Sequence, residues 1–223
     1  MNEHEEITLA ALAGLLHDVG KFAQRAQKEA GDAEGASQGL PLPDFLREVP
    51  PSSDAVESLA ANAGPGNRMA WLVKAANTLA AGERANLPAR GAPGPSPSRQ
   101  LLSIFSVIDA DGTCWKNDQS HWKYLPLRKL ALDEGNIFPD AALAANNIQD
   151  ATKDLWNAFK TEAEALKSLT DPGEYLEAML ALLQRYGWCA PSAYGHARAD
   201  VSLYDHSRMT AALAACLADA KEF

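Results

Sequence analysis

The sequence is poor in cysteine, in aromatic residues and in cations, and these shortages exclude several classes of protein. Its three cysteines, Cys114, Cys189 and Cys216, lie far apart among 223 residues and form no CxxC pair. This spacing argues against a disulfide framework or a zinc ribbon and favours a reducing compartment. The 20 Lys and Arg against 29 Asp and Glu give a net charge of −9, which argues against a protein that coats nucleic acid by charge alone.

Long apolar runs and secretory signals are missing as well. No apolar run approaches the ~20 residues that a membrane span needs. The first six residues, MNEHEE, contain three glutamates and no Lys or Arg, whereas a secretory signal begins with a basic segment. The chain is nevertheless 47% hydrophobic, which is enough to bury a core. We therefore expect a soluble, cytoplasmic protein of one domain with no membrane partner.

The hydrophobic pattern predicts a mostly α-helical bundle with long loops. Alanine-rich segments with apolar residues at helical spacing recur along the chain, and neither an internal repeat nor a coiled-coil heptad is present. We expect helices over 7–26, 54–61, 68–85, 141–169, 172–186 and 202–220, with a short helical piece around 44–47. We expect a single domain over 1–223 with first helices in 1–86, a loop-rich insertion in 87–140 and closing helices in 141–223.

Three details of this pattern bear on the later argument. Gly20 interrupts the stripe of the first helix and can loosen it just after His17 and Asp18. The third helix is expected to turn one face inward, which comprises Trp71, Leu72, Ala75, Leu79 and Ala80. Asp171 is a plausible N-cap for the helix that begins at Pro172, and Cys189 is expected to be a small buried residue.

Two His/Asp pairs could carry chemistry. Imidazole and carboxylate groups are good ligands for Mn, Fe, Ni or Zn, and such a metal can supply hydroxide for attack on a phosphodiester. The first pair is His17 and Asp18, although neighbours on a helix diverge by ~100° and the pair could simply form a polar helix face. The second pair is Asp205 and His206. There the alternative is an acid that stabilises the helix terminus beside a buried or capping histidine.

A third candidate is a stretch in which cations alternate with aromatic residues. It runs from Trp115, Lys116 and Asn117 through Trp122, Lys123 and Tyr124 to Arg128 and Lys129. Such a pattern can bind single-stranded nucleic acid by stacking and phosphate contact. The commoner explanation is that the aromatic rings fill the core beneath a loop while the lysines face solvent. No residue is therefore assigned to nucleic-acid binding.

Five segments together resemble the N-terminal HD domain of the large, polymerase-like subunit of type III CRISPR effector complexes. They are LLHDVGKF at 15–22, AANTLAAGER at 75–84, LSIF at 102–105, YLPL at 124–127 and DVSLYDHSR at 200–208. The last is very similar to the family's D-x-S-L-x-D-H-S-[RK] signature and is the most specific of the five. The segments occur in the family's order and span nearly the whole chain.

The resemblance implies a circularly permuted, helical HD domain that binds a divalent transition metal (Mn, Ni or Co) and cuts single-stranded DNA once target RNA is bound. It implies that His17, Asp18 and Lys21 are catalytic and that His17, Asp18, Asp205 and His206 bind the metal. Implied partners are the other subunits of the complex, and guide RNA and target RNA through it. The palm domains that make cyclic oligoadenylate would follow this chain, so that synthesis is not expected of these residues.

Two departures from the family pattern weaken the metal site. Asn77 stands where the family has an aspartate, and an amide oxygen brings no charge to a metal. No histidine lies between Lys21 and Asn77, where active members carry several. We therefore predict a degenerate, structural HD domain with weak or no nuclease activity. The alternatives are an active metal-dependent nuclease for single-stranded DNA and, less favoured, a stand-alone HD nucleotide phosphohydrolase.

Overall fold

The described part of the chain, in a computed structural model, consists of residues 3–27, 46, 67–84, 100–106, 108, 119–139, 145–192 and 199–220. Its α-helices are α1 (Glu3–Leu16), α2 (Val19–Gln27), α3 (Arg68–Ala80), α4 (Glu134–Ile137), α5 (Ala145–Glu164), α6 (Pro172–Gly187) and α7 (Leu203–Asp219). Short 3-10 turns extend α3 over Ala81–Arg84 and α5 over Ala165–Ser168. The prediction of a mostly α-helical fold is confirmed. The predicted helix 54–61 and most of the piece around 44–47 lie outside the described residues.

The first layer of the fold consists of α7 flanked by α1 and α3. Ala10 and Ala13 of α1 share a cluster with Ala214 and Ala218 near the end of α7, so α1 and α7 run antiparallel. Small side chains allow these helices to approach closely. At Gly14 of α1 the approach is close, because a Cβ there would lie 3.0 Å from the Ala211 Cα atom.

The second layer is formed by α2, α5 and α6, and it contains the larger side chains of the core. Phe22 of α2 meets Trp156 edge-on at 5.1 Å between ring centroids, and Phe159 stacks on Trp156 at 5.3 Å. Tyr186 of α6 completes the aromatic group against Phe159. Leucines of α1 pack into this same cluster, so α1 joins the two layers.

The single helix predicted over 7–26 is wrong. α1 ends at Leu16, α2 begins at Val19, and His17 and Asp18 form the turn between them. The backbone N–H of Lys21 donates to the Asp18 carbonyl at 3.0 Å and starts the new helix. The break is required because α1 lies along α7 whereas α2 lies along α5, and one straight helix cannot follow both.

The predicted inner face of the third helix is only partly correct. Leu72 and Ala80 are buried, but Trp71 is 55% exposed and Leu79 is 60% exposed. The buried face of α3 instead includes the small residues Ala70 and Ala76. The close packing of α3 on α7 explains this outcome, because a tryptophan would hold the two backbones too far apart.

The later helices agree with the predictions within the described residues, except that α5 ends at Glu164 and is followed by a 3-10 turn; residues 141–144 of the predicted helix 141–169 lie outside the described ranges. α6 begins at Pro172, and the Asp171 carboxylate accepts a hydrogen bond from the Glu174 backbone N–H at 3.0 Å. Cys189 is fully buried, and burial raises the pKa of its thiol to about 12. No helix in the described ranges is long and apolar enough to cross a membrane.

A small set of backbone hydrogen bonds ties the loops to the start of α7. Leu102 pairs with Tyr124, and the Leu102 N–H donates to the Ala199 carbonyl at 2.7 Å. Pro191 pairs in the same antiparallel manner with Ser202, the residue that caps α7. Within the described residues, antiparallel backbone pairing is limited to these two isolated bridges.

Candidate functional site

The His17–Asp18 turn places a buried carboxylate beside a lysine. The Asp18 side chain is only 3% exposed, and its Oδ1 atom lies 2.7 Å from Lys21 Nζ. Lys21 follows by three residues, so it lies one turn into α2 and reaches back to the acid that precedes that helix. His17 is also buried, and its Nε2 atom lies 4.0 Å from Asp18 Oδ1.

His206 and Asn77 complete this group from the other two helices of the first layer. His206 Nε2 lies 2.9 Å from Asn77 Oδ1 and 3.4 Å from Asp18 Oδ2. The antiparallel packing of α1 on α7 explains the meeting, because Asp18 and His206 lie about one turn beyond the close approach of Gly14 and Ala211. The sequence-predicted residues His17, Asp18, Lys21, Asn77 and His206 therefore lie together, and we call them the polar cluster.

The electrostatics of the polar cluster favour an ionised Asp18. Burial by itself raises the pKa of this carboxyl group. The charges of Lys21 and His17, the hydrogen bond from Lys21 and the charge of His206 offset burial, so the pKa lies below its ordinary value. The buried carboxylate thus has a cation beside it within the same chain.

Asp205 lies outside the polar cluster, although the resemblance implied that Asp205 binds the metal. Its Oδ2 atom accepts a hydrogen bond from Ser202 Oγ at 2.7 Å, and its backbone N–H donates to the same hydroxyl at 2.9 Å. The Asp205 side chain is 56% exposed and faces Arg208 across 3.6 Å. In this structure Asp205 therefore helps to cap α7, as the helix-terminus alternative proposed.

Two residues that position the cluster had no role assigned from the sequence. Ser202 caps α7 through its hydroxyl, and the Ser202-x-x-Asp205 spacing is the signal that could have identified it. Arg25 on α2 donates hydrogen bonds to the carbonyls of Pro191 and Ser192, the segment paired with the start of α7. No sequence pattern indicates this contact, which joins residues more than 160 positions apart.

The residues as placed do not fit a bound transition metal. Asn77 Oδ1 can only accept a hydrogen bond, so His206 Nε2 carries a hydrogen and has no lone pair to offer there. In the Asp18 carboxylate, the Oδ1 oxygen is engaged by Lys21. Among the described residues no three His, Cys, Asp or Glu side chains are arranged to hold a metal ion.

The stretch of alternating cations and aromatic residues is only partly described, since residues 115–118 lie outside the described ranges. Within it, Trp122 and Tyr124 are half-buried. The two exposed cations that follow form ion pairs, Arg128 with Asp133 at 3.0 Å and Lys129 with Glu162 at 2.5 Å. These pairs join loop segments to each other and to α5, which is a structural role.

Fold and site together define a helical domain in which an HD pair forms a buried turn against a D-H-S helix. Over 243 residues the chain is 27% identical to the CRISPR system single-strand-specific deoxyribonuclease Cas10/Csm1 (subtype III-A) of Methanocaldococcus jannaschii, with 97% of this chain and 28% of that protein covered. The Cas10/Csm1 protein of Thermococcus onnurineus is also 27% identical, over 92% of this chain and 26% of its own length. These relatives confirm the resemblance to the large subunit of type III complexes.

The chain thus spans about a quarter of the length of the curated relatives it matches. Among solved structures, the Csm1–Csm4 subcomplex of the type III-A CRISPR-Csm interference complex is similar over 94% of this chain and 27% of its own, at 23% identity and a TM-score of 0.47. The Csm1–Csm4 cassette in complex with pppApApA is similar over 94% and 28%, at 24% identity and a TM-score of 0.48. No protein-family model matches the chain.

Proposed function

We propose that this chain is the HD domain of the large subunit of a type III CRISPR effector complex, and that it serves there as a structural domain with weak or no nuclease activity. Its partners would be other protein subunits of the complex, and it would meet guide RNA and target RNA through them in the cytoplasm. The support for the family is the similarity to Cas10/Csm1 over nearly the whole chain. The support for a structural role comes from the polar cluster.

One observation carries the structural role. Within the polar cluster Lys21 Nζ neutralises Asp18 through its Oδ1 atom, and Asn77 Oδ1 accepts a hydrogen bond from His206 Nε2, so two of the atoms that a metal would need are already engaged. A hydrolytic metal site needs free donor atoms, a held metal and a bound water. A cluster in which a lysine supplies the positive charge can stabilise the junction of α1, α3 and α7 without any metal.

The alternative is an active nuclease for single-stranded DNA, and a different observation favours it. Asp18 Oδ2 is buried and accepts no hydrogen bond from the described residues, so this oxygen keeps a lone pair that could face a cation. His17, Asp18 and His206 would then bind Mn, Ni or Co after Lys21 and Asn77 had moved. Asp205 would take part only if α7 lost its present cap. In the stand-alone phosphohydrolase alternative, the same ligands would act on nucleotides.

A cleavage assay separates these proposals. The purified chain is incubated with labelled single-stranded DNA, with and without Mn, Co or Ni, beside a His17→Ala/Asp18→Ala variant. We expect no metal-dependent cleavage by either protein, and no bound metal by elemental analysis. Cleavage by the wild type that the variant abolishes would refute the structural role. Release of phosphate from nucleotides, without cleavage of DNA, would favour the phosphohydrolase.

Asn77→Asp tests whether the missing carboxylate limits metal binding. A second carboxylate beside His206 adds charge and oxygen ligands, so we expect Mn²⁺ affinity at least about tenfold above wild type by calorimetry. Asn157→Asp makes the same chemical change on the exposed side of α5 and serves as the matched control. Equal Mn²⁺ affinity in wild type and both variants would show that residue 77 does not limit binding.

Co-expression with the other subunits and guide RNA tests the assembly proposal. We expect the chain to co-purify with the complex in stoichiometric amount. A chain that elutes alone, while the remaining subunits assemble with one another, would contradict it. This outcome is independent of the cleavage assay, because a domain can assemble without catalysis.

A further inference from the structure

α3 has two apolar faces, and only one of them lies in the core. Its inner face, which includes Ala70 and Ala76, packs on α7 and α1. The other face carries Trp71, Ala75 and Leu79 at positions i, i+4 and i+8, so the three follow one another along the helix surface. Trp71 is 55% exposed, Leu79 is 60% exposed and Ala75 is half-buried. We call these three residues the outer stripe.

The outer stripe has the pattern of a helix-packing surface. A small residue between two large ones allows a second helix to approach closely at the small residue. The two large side chains then pack against that helix on either side of this point. Tryptophan is among the side chains that contribute most when they become buried at interfaces. Two large apolar side chains that are both more than half exposed on the same face of one helix are therefore a marked feature.

The charges of α3 indicate what can cover this stripe. Arg68 and Lys74 are the only ionisable residues of the helix, and both are cationic in a chain of net charge −9. Arg68 pairs with Glu6 of α1, whereas exposed Lys74 has no ion-pair partner among the described residues. A partner with carboxylates beside its own apolar residues would complement this surface.

The same charges disfavour a second copy of this chain. Two α3 helices could meet antiparallel with Ala75 against Ala75, and Trp71 would then face the Leu79 of the other copy. Arg68 is already paired with Glu6 of its own chain, but the two Lys74 side chains, which have no ion-pair partner among the described residues, would both lie beside the Ala75 contact and repel each other. Nucleic acid is the other candidate for a cationic surface, but Trp71 is the single aromatic ring of the stripe, and Ala75 and Leu79 add no further stacking platform for successive bases.

We propose that the outer stripe of α3 is a docking surface for an amphipathic helix of another protein subunit, one whose apolar residues are flanked by aspartate or glutamate. The proposal rests on the proposed function for the setting in which that subunit is met. Lys74 would pair with a partner carboxylate, and Trp71 and Leu79 would be buried on either side of Ala75. The polar cluster takes no part in this contact.

Site-specific photocrosslinking in the co-expressed complex identifies the occupant. Thr78→p-benzoylphenylalanine places a photoreactive group on the exposed side of α3 beside the stripe, and Ala158→p-benzoylphenylalanine on α5 is the control. We expect the residue 78 probe to crosslink to an acidic, amphipathic segment of another subunit, identified by mass spectrometry. A main crosslink to RNA or DNA, to a second copy, or to another part of this chain would overturn the proposal.

A charge substitution measures the contribution of the stripe to assembly. Leu79→Glu puts a carboxylate into the stripe, and we expect it to lower co-purification with the complex at least tenfold. Ile104→Glu is the matched control, since Ile104 is 62% exposed on a different segment, and we expect it to co-purify normally. Circular dichroism of both variants establishes that they are folded.

The outcomes separate this proposal from the one on which it rests. If the wild-type chain fails to join the complex, the proposed function fails and the docking proposal loses its setting. If the wild type assembles and Leu79→Glu assembles equally well, the docking proposal alone is refuted. Equal loss in Leu79→Glu and Ile104→Glu would also refute it, because the effect would not be specific to the stripe.

Discussion

At the scale of single residues, the polar cluster shows what a dipeptide motif predicts and what it leaves open. His17 and Asp18 can both lie in the cluster because the helix breaks at them. Asp205 and His206 are neighbours inside a continuous helix, so their side chains diverge by ~100° and only one can point inward. His206 takes the inward position, and Asp205 is left to cap α7. The motifs predicted that the two His/Asp segments would meet. Which of residues 205 and 206 points into the polar cluster depended on the register of α7.

Gly14 is predicted to be intolerant of a side chain. A Cβ atom there would lie 3.0 Å from both Ala211 Cα and the Thr210 carbonyl oxygen, and backbone atoms of a packed helix cannot move aside cheaply. We expect Gly14→Ala to lower the free energy of unfolding by about 1–3 kcal/mol, even though alanine favours helix. Urea denaturation followed by circular dichroism measures the change.

Gly82→Ala is the control for this prediction, because nothing lies within 4 Å of the added Cβ atom. We expect its unfolding free energy to stay within about 0.5 kcal/mol of wild type. If both glycine variants are as stable as wild type, that result would contradict the close approach of α1 and α7 at Gly14.

At the scale of secondary-structure elements, capping signals predicted the start of α6 well, whereas periodicity missed the break between α1 and α2 and assigned part of the packing face of α3 wrongly. Asp171 and Pro172 mark the start of α6, and the structure begins the helix there. Trp71 and Leu79 are apolar at helical spacing, yet they are exposed to solvent. The reason is that α3 has two apolar faces, and α7 packs against the face with the smaller side chains. Periodicity alone cannot choose between two such faces, since that choice depends on the helix opposite.

Glu162 of α5 is the element-scale site at which stability should depend on pH. Lys129, Tyr186 and Arg185 each donate a hydrogen bond to its carboxylate, at 2.5, 2.6 and 2.6 Å. The bonds from Lys129 and Tyr186 are the main causes that lower the pKa of Glu162 to about 2. A lowered pKa means that this stabilisation is present above the unfolded-state value and is lost as the pH falls through about 2.

We therefore expect Glu162→Gln to be less stable than wild type at neutral pH, by about 1 kcal/mol after allowance for solvent screening of a carboxylate that is one third exposed. The difference should shrink as the pH is lowered from 5 towards 2. Thermal unfolding at several pH values measures it. Glu164→Gln, two residues away on the exposed surface, should follow the wild-type profile, and a parallel loss in both variants would contradict the role of Glu162.

At the scale of the whole molecule, α1 belongs to both apolar clusters. Leu12 and Leu15 lie in the large cluster with the aromatic group, whereas Ala10 and Ala13 lie in the small cluster with α3 and α7. A helix shared in this way couples the two layers, because neither cluster can open without exposing part of α1. Composition and periodicity predicted a helical bundle but could not predict this sharing, which follows from helix order in space.

Val73→Ala tests that coupling from the small cluster. Val73 is fully buried, and loss of two methyl groups should lower the free energy of unfolding by about 1–3 kcal/mol. We expect near-ultraviolet signals from the aromatic group and far-ultraviolet signals from the helices to shift to the same new denaturation midpoint. Separate midpoints for the two signals would show that the layers unfold independently.

The central place of α7 in the first layer has a consequence for how the protein is made. α1 and α3 are synthesised before the helix on which both of them pack, which lies at residues 203–219. Until those residues are available, the faces of α1 and α3 that α7 covers stay exposed, and Asp18 lacks its contact with His206. We therefore expect the first layer to be completed only after α7 has been synthesised, and a chaperone bound to the early helices would shield them in the meantime.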